Sequence, residues 1–157
     1  NITVISVGKI KEKYFTAAID EYSKRLSRFA KLNIIEVADE KIPDNASEKE
    51  MEQIKEKEGN KILAKLPQNS FVVTLCIEGK EHSSEELAKK IADISMTSSH
   101  ITFIIGGSLG LSDTVKSKSA LRLSFGKMTL PHQLMRVVLL EQIYRAFKIN
   151  NNESYHK

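Results

Sequence analysis

Short apolar, β-branched runs alternate with longer stretches of helical period along the whole chain, and this alternation constrains the fold more than any other feature of the sequence. The runs Ile2 to Val7, Leu32 to Val37, Phe71 to Ile77, Ile101 to Ile105 and Leu121 to Ser124 have strand length and stand between breakers. Nearly continuous apolar character suits strands covered on both faces. Between them, Tyr14, Phe15, Ala18, Ile19, Tyr22, Leu26 and Phe29 are spaced for one helix face. Met51, Ile54, Ile62, Leu63 and Leu66 form a looser stripe that Pro67-Gln68-Asn69 stops, and Ser83-Ser84-Glu85-Glu86 offers a capping serine and early acids to a helix carrying Leu87, Ile91 and Ile94. Ser112-Asp113 caps a short helix, and Pro131, at a first-turn position, opens a last helix to about Ile149. The pattern predicts an α/β fold, a mainly parallel sheet with helices on both faces, in a single domain over 1–157.

In such sheets ligands sit beyond the carboxyl ends of the strands, which directs attention to the loops after Ile77, Ile105 and Ser124. The third strand is read as closing at Glu78-Gly79-Lys80. Gly106, Gly107 and Gly110 follow one strand and precede a helix, where backbone must pass close to a ligand or turn tightly. The cluster is neither the dinucleotide GxGxxG nor a P-loop, which argues against a nucleotide-dependent oxidoreductase or hydrolase. A branched side chain at Gly106 is expected to fill space meant for the ligand.

Other chemistries find little support. Cys76 is the single cysteine, so no intrachain disulfide forms, and its strand reads as one that buries a packed thiol. His82, His100, His132 and His156 lack partners at ligand spacing, so no metal is expected. No Gly-x-Ser-x-Gly elbow occurs. With neither a signal peptide nor an 18-residue apolar run, the expectation is a cytoplasmic protein with no membrane association. Lys and Arg total 24 against 20 for Asp and Glu, a net charge of +4 that suits an anionic partner. Lys9, Lys11, Lys13, Lys24, Arg25, Arg28 and Lys31 crowd the N-terminal segment, as a phosphate-contacting or merely solvated face. A chain opening at Asn1 rather than Met is expected to lack a residue or two.

The last helix, with Leu134, Met135, Val137, Val138, Leu139, Leu140, Ile143, Ala146 and Phe147, is apolar nearly all round. A sheet covers one side of such a helix, so a second subunit is expected on the other and the protein is expected to be a homodimer. Arg136, Glu141 and Arg145 interrupt the apolar surface and need ion-pair partners or ligands.

Two stretches carry a resemblance: Ser124-Phe125-Gly126-Lys127-Met128-Thr129-Leu130-Pro131-His132-Gln133-Leu134-Met135-Arg136, continuing through Glu141-Gln142-Ile143-Tyr144-Arg145-Ala146, and the closing Tyr155-His156-Lys157. With Val7-Gly8-Lys9 and Ile105-Gly106-Gly107 in the same order, the chain resembles the ribosomal RNA large-subunit methyltransferase H family of the SPOUT superfamily over essentially its whole length. The resemblance implies a SPOUT-type α/β knot, with a C-terminal trefoil knot, in a homodimer. It implies S-adenosylmethionine as cofactor and N3 of a pseudouridine in large-subunit rRNA, within the ribosome, as substrate. It places the cofactor at Leu75, Gly106, Phe125, Gly126, Lys127, Met128, Thr129 and Leu130, and sets Tyr155, His156 and Arg145 beside the transferred methyl group. His156 is the expected proton acceptor. Leu109 stands where relatives often carry a polar residue and is assigned no role, and Gly126 replaces what is frequently serine or another small residue. The rival reading is a non-catalytic RNA-binding or ribosome-associated factor.

Overall fold

The computed structural model describes residues 1–155. Five strands, β1 (Ile2–Val7), β2 (Leu32–Val37), β3 (Phe71–Glu81), β4 (Ile101–Ile105) and β5 (Leu121–Ser124), form one sheet in the order β2-β1-β4-β3-β5. Every pairing is parallel, with Ile2 of β1 opposite Leu32 on one side and Ile101 on the other. Helices α1 (Lys13–Leu26), α2 (Glu48–Ala64), α3 (Ser84–Thr97), α4 (Asp113–Ser117) and α5 (His132–Asn150) make the connections and cover both faces.

The period of two along each strand sorts the core into two halves. Ile2 and Val4 of β1 face Leu26 of α1, Ile91 of α3 and Ile143 of α5, whereas Ile5 and Val7 face Ile62 of α2 and Val115 of α4. The expected serine cap of α3 is present. Ser83 accepts from the Glu86 backbone N–H while the Glu86 carboxylate accepts from that of Ser83, and Ser47 and Glu50 repeat the arrangement on α2.

Three expectations change. The third strand does not close at Glu78-Gly79-Lys80: after a bulge between Leu75 and Lys80 it resumes, with Lys80 opposite Leu123 and Glu81 opposite Ser124. Pairing to β5 overrides the turn chemistry of that triplet. Pro131 caps α5 rather than occupying its first turn. Finally, α5 packs between α1 and α3 as well as on β4, so its own chain covers much of the apolarity that suggested a second subunit. Leu134, Val137 and Val138 stay half-exposed along one stripe.

Candidate functional site

The carboxyl ends of β4, β3 and β5, neighbours in that order, open into a cavity of about 720 Å³. Leu75, Gly106, Phe125, Gly126, Met128, Thr129 and Leu130 all line it; Lys127 is exposed and stands outside the lining. Its walls are mainly apolar, from Leu75, Ile105, Leu123, Phe125 and Met135, and the size is that of a site for a small organic molecule.

Local backbone chemistry builds the rim. Ser124 Oγ donates to the Ile77 carbonyl (2.9 Å) and accepts from the Gly126 amide (3.1 Å), fastening the turn after β5 to β3. Gly126 has φ +117°, a conformation that L side chains rarely adopt, so glycine suits this turn. After β4 the chain doubles back, with Gly110 donating to the Gly107 carbonyl at 3.0 Å. A Cβ on Gly106 would lie 2.7 Å from the Gly110 carbonyl carbon and 3.0 Å from the Leu111 nitrogen. The space beside Gly106 is therefore taken by its own loop, which corrects the expectation that it is reserved for a ligand.

Several cavity residues had no role assigned from sequence. Leu109 lines the wall, as do Ile77 and Glu78 in the β3 bulge. Cys76 is half-buried on the same wall rather than packed in the core, since the bulge carries it out of the sheet's interior. His132 also lines the cavity, and its Nδ1 is buried with no hydrogen-bond partner among the described residues. Burial, with the neighbouring Arg136 charge, holds its pKa below the usual histidine range, so the ring is neutral at neutral pH. Its place directly after Leu130-Pro131 was the available signal.

Arg136 fixes this end of α5. Its side chain is 3% exposed, bonds Glu36 Oε2 at 2.7 Å, and donates to the carbonyls of Val7 (2.8 Å) and Gly8 (2.7 Å). The expected ion pair is present.

Tyr155 and Arg145 lie elsewhere. Arg145 pairs with Glu141 at 2.7 Å, the Tyr155 hydroxyl donates to Glu141 Oε2 at 2.9 Å, and the guanidinium stacks over the Tyr155 ring at 4.7 Å. None of the three lines the cavity. Helix α5 rises about 15 Å from Met135 to Arg145 at roughly 1.5 Å per residue. Within one chain the two groups of predicted site residues therefore stay apart; His156 lies outside the described residues. Among those residues no three His, Cys, Asp or Glu side chains gather as a metal cage, and no helix is long and apolar enough to cross a membrane.

Comparison with known proteins identifies this architecture. A family model described as "Predicted SPOUT methyltransferase" matches residues 1–156. The chain is similar to the ribosomal RNA large subunit methyltransferase H of Clostridioides difficile, 60% identical over 158 aligned positions that cover 100% of this chain and 99% of that one. Similarity to the protein of the same name from Clostridium novyi reaches 62% with the same coverage. In fold it is like a solved structure described as "a probable methylase family protein" from Haemophilus influenzae, at TM-score 0.54 and 13% identity, covering 99% of this chain and 70% of that one. With its whole length matched in sequence at this level, the chain belongs to the SPOUT methyltransferases and, among them, to the ribosomal RNA large subunit methyltransferase H family.

Proposed function

We propose that the protein transfers a methyl group from S-adenosylmethionine to N3 of a pseudouridine in large-subunit rRNA, acting in the cytoplasm on the ribosome. The observation that carries the reading is the convergence of three neighbouring strand ends and the 125–130 loop on one cavity of about 720 Å³. The residues present fit the cofactor: apolar walls at Leu75, Phe125 and Met135 suit an adenine face, and the turning backbone of the 106–110 and 125–130 loops offers amides and carbonyls for its edge. Bound there, S-adenosylmethionine supplies an activated methyl group on a sulfonium.

The chain's own contribution is placement and proton handling. His156 accepts the N3 imide proton, since imidazole titrates near neutral pH. Arg145 stabilises negative charge on the flanking carbonyl oxygens, and Tyr155 orients the base by stacking. Because Arg145 and Tyr155 lie far along α5 from the cavity, a homodimer completes the site, one copy's tail serving the other's cavity. Leu134, Val137, Val138, Glu141 and Arg145 share one stripe of α5. That stripe leads from the cavity end to the tail, and a two-fold axis across it is the natural closure. The C-terminal trefoil threading of the family belongs to the same reading.

The test is to incubate the protein with labelled cofactor and, separately, intact ribosomes, isolated large subunits and naked rRNA, and to map the label. Label at N3 of one pseudouridine supports the reading; absence of transfer to all three overturns it. Stoichiometric cofactor binding separates it from a non-catalytic RNA-binding factor. Light scattering tests the dimer, and a stable monomer at micromolar concentration removes it.

A further inference from the structure

One carboxylate gathers two of the groups proposed to meet the reacting base. Glu141 Oε1 accepts from Arg145 Nε at 2.9 Å and lies 2.7 Å from its Nη2, while Oε2 accepts from the Tyr155 hydroxyl at 2.9 Å. The Arg145 guanidinium in turn stacks on the Tyr155 ring, whose edge meets Tyr144 with centroids 5.0 Å apart. An ordinary i,i+4 pair on a helix surface would leave one carboxylate oxygen to water and be worth little. Here both oxygens are used, and the second is used by a residue from beyond the end of the helix.

This bond is one of several that hold the tail. Glu153 pairs with Arg28 at 2.6 Å and with Lys148 at 3.1 Å, which already ties the segment after α5 to the end of α1. The Glu141–Tyr155 bond is therefore left to set the orientation of the phenol ring. Tyr22, from α1, faces the same carboxylate; burial, then Glu141 itself, pushes its pKa up to about 12, so it meets the carboxylate as a neutral donor.

We propose that Glu141 is a positioning residue for methyl transfer, its carboxylate holding the Tyr155 hydroxyl and the Arg145 guanidinium in one fixed arrangement before the base arrives. A single rigid acceptor that these two donors share, with Tyr22 facing it from α1, removes the search that two independent side chains would otherwise make, which is how a group that touches neither cofactor nor base raises a rate. The proposal rests on the reading of Tyr155 and Arg145 as groups that meet the base.

The test is a double-mutant cycle on the full-length protein with intact ribosomes, read as kcat and as KM for the cofactor, with melting temperature recorded for every variant. Glu141→Gln should lower kcat about ten- to hundredfold, in line with loss of a charged hydrogen bond, and leave the cofactor KM within twofold or so. Glu141→Asp keeps the charge but withdraws it by one methylene, and should be nearly as slow as Glu141→Gln. Tyr155→Phe should slow the reaction, and Glu141→Gln added to it should cost much less than it does alone, because the two act as one unit. Full rate in Glu141→Asp, or losses in the double variant that simply multiply, overturns the proposal even though the tail matters. Wild-type rate in both Tyr155→Phe and Arg145→Lys removes the reading of the tail and this inference with it. If Glu141→Gln melts early, the Asp variant and the cycle built on it decide the matter.

Discussion

The two ends of α5 solve different problems with different materials. At its first turn, His132 and Met135 border a cavity whose shape is set by backbone: turns at Gly110 and Gly126, a serine that staples one turn to the neighbouring strand, and apolar walls. At its last turns, Glu141, Arg145, Lys148 and Glu153 join side chain to side chain through charges and hydroxyls. A site made of backbone recognises shape and tolerates most changes of side chain, but not an added Cβ where the chain touches itself. The charged hydrogen bonds of the tail lie at the partly exposed surface, where a single changed functional group alters the chemistry. The comparison predicts that binding and chemistry can be damaged separately.

The sharpest way to separate them is to delete Tyr155, His156 and Lys157. This should lower the methylation rate by at least about 10³-fold while cofactor affinity stays within a few fold, because base and charge-stabilising groups act on the transition state. Single-turnover rates and calorimetry check it, and parallel loss of rate and affinity would erase the distinction between the two ends.

Next in size is Arg136→Met, at the cavity end. The guanidinium is nearly fully buried, and its removal strands the Val7 and Gly8 carbonyls and frees Glu36 of its partner. A loss of about 3 kcal/mol is expected, somewhat below the usual cost of breaking a buried pair because Glu36 can reach water. In a chain of this length that lowers Tm by roughly 6–12 °C, measurable by calorimetric scan. The equivalent change at the exposed tail, Glu153→Gln, should move Tm by no more than about 1–2 °C, the effect of a weak surface pair. Gly106→Val is a smaller perturbation of the fold: its clash with the Gly110 carbonyl forces the 106–111 loop to move, so cofactor affinity should fall at least about tenfold and Tm by a few degrees. Unchanged affinity would take this loop out of the site.

The same contrast explains what could be read from sequence. Strand runs, serine caps and the glycines after β4 are local signals, since burial on both faces, a capping serine and a tight turn each act within a few residues. They located the sheet and the three strand ends that meet at the cavity. The β3 bulge was invisible because Lys80 and Glu81 are held in the sheet by Leu123 and Ser124, more than forty positions away. Cys76 and Ile77 were misplaced for that reason. Arg136 could be flagged as a buried charge, but its acceptor Glu36 and the carbonyls of Val7 and Gly8 come from the opposite end of the chain. Family resemblance named Arg145 and Tyr155 and the helix pattern flagged Glu141 as a charge in need of a partner, while the bond from Tyr155 to Glu141 emerged only from the packed structure.

The smallest expected effect again contrasts the two ends, through pH. His132 and His100 both have pKa values held below the ordinary histidine range, chiefly by burial, with help from Arg136 in the first case and the N-terminal ammonium in the second. In the unfolded chain each takes up its proton near pH 6.5 or so, whereas the folded chain resists until lower pH. Just below that value the unfolded state therefore binds more protons, so stability is full above it and falls as pH drops. Glu58, its pKa raised mainly by burial, has the opposite sign: the stability from its protonated form is lost as pH rises above the ordinary carboxylate range, so it opposes the histidine effect where the two overlap. Tm should thus decline modestly between pH 7.5 and 5.5, and His132→Asn should flatten part of that decline. Cofactor affinity should weaken only at lower pH, where His132 of the folded chain takes up its proton, because an imidazolium on the cavity wall opposes a cationic sulfonium. At the tail, hydrogen bonds from Arg28 and Lys148 hold the Glu153 pKa below the usual carboxylate range, so it should contribute no slope between pH 7.5 and 5.5. A decline in Tm that persists unchanged in both His132→Asn and His100→Asn would show that the titrating groups lie elsewhere.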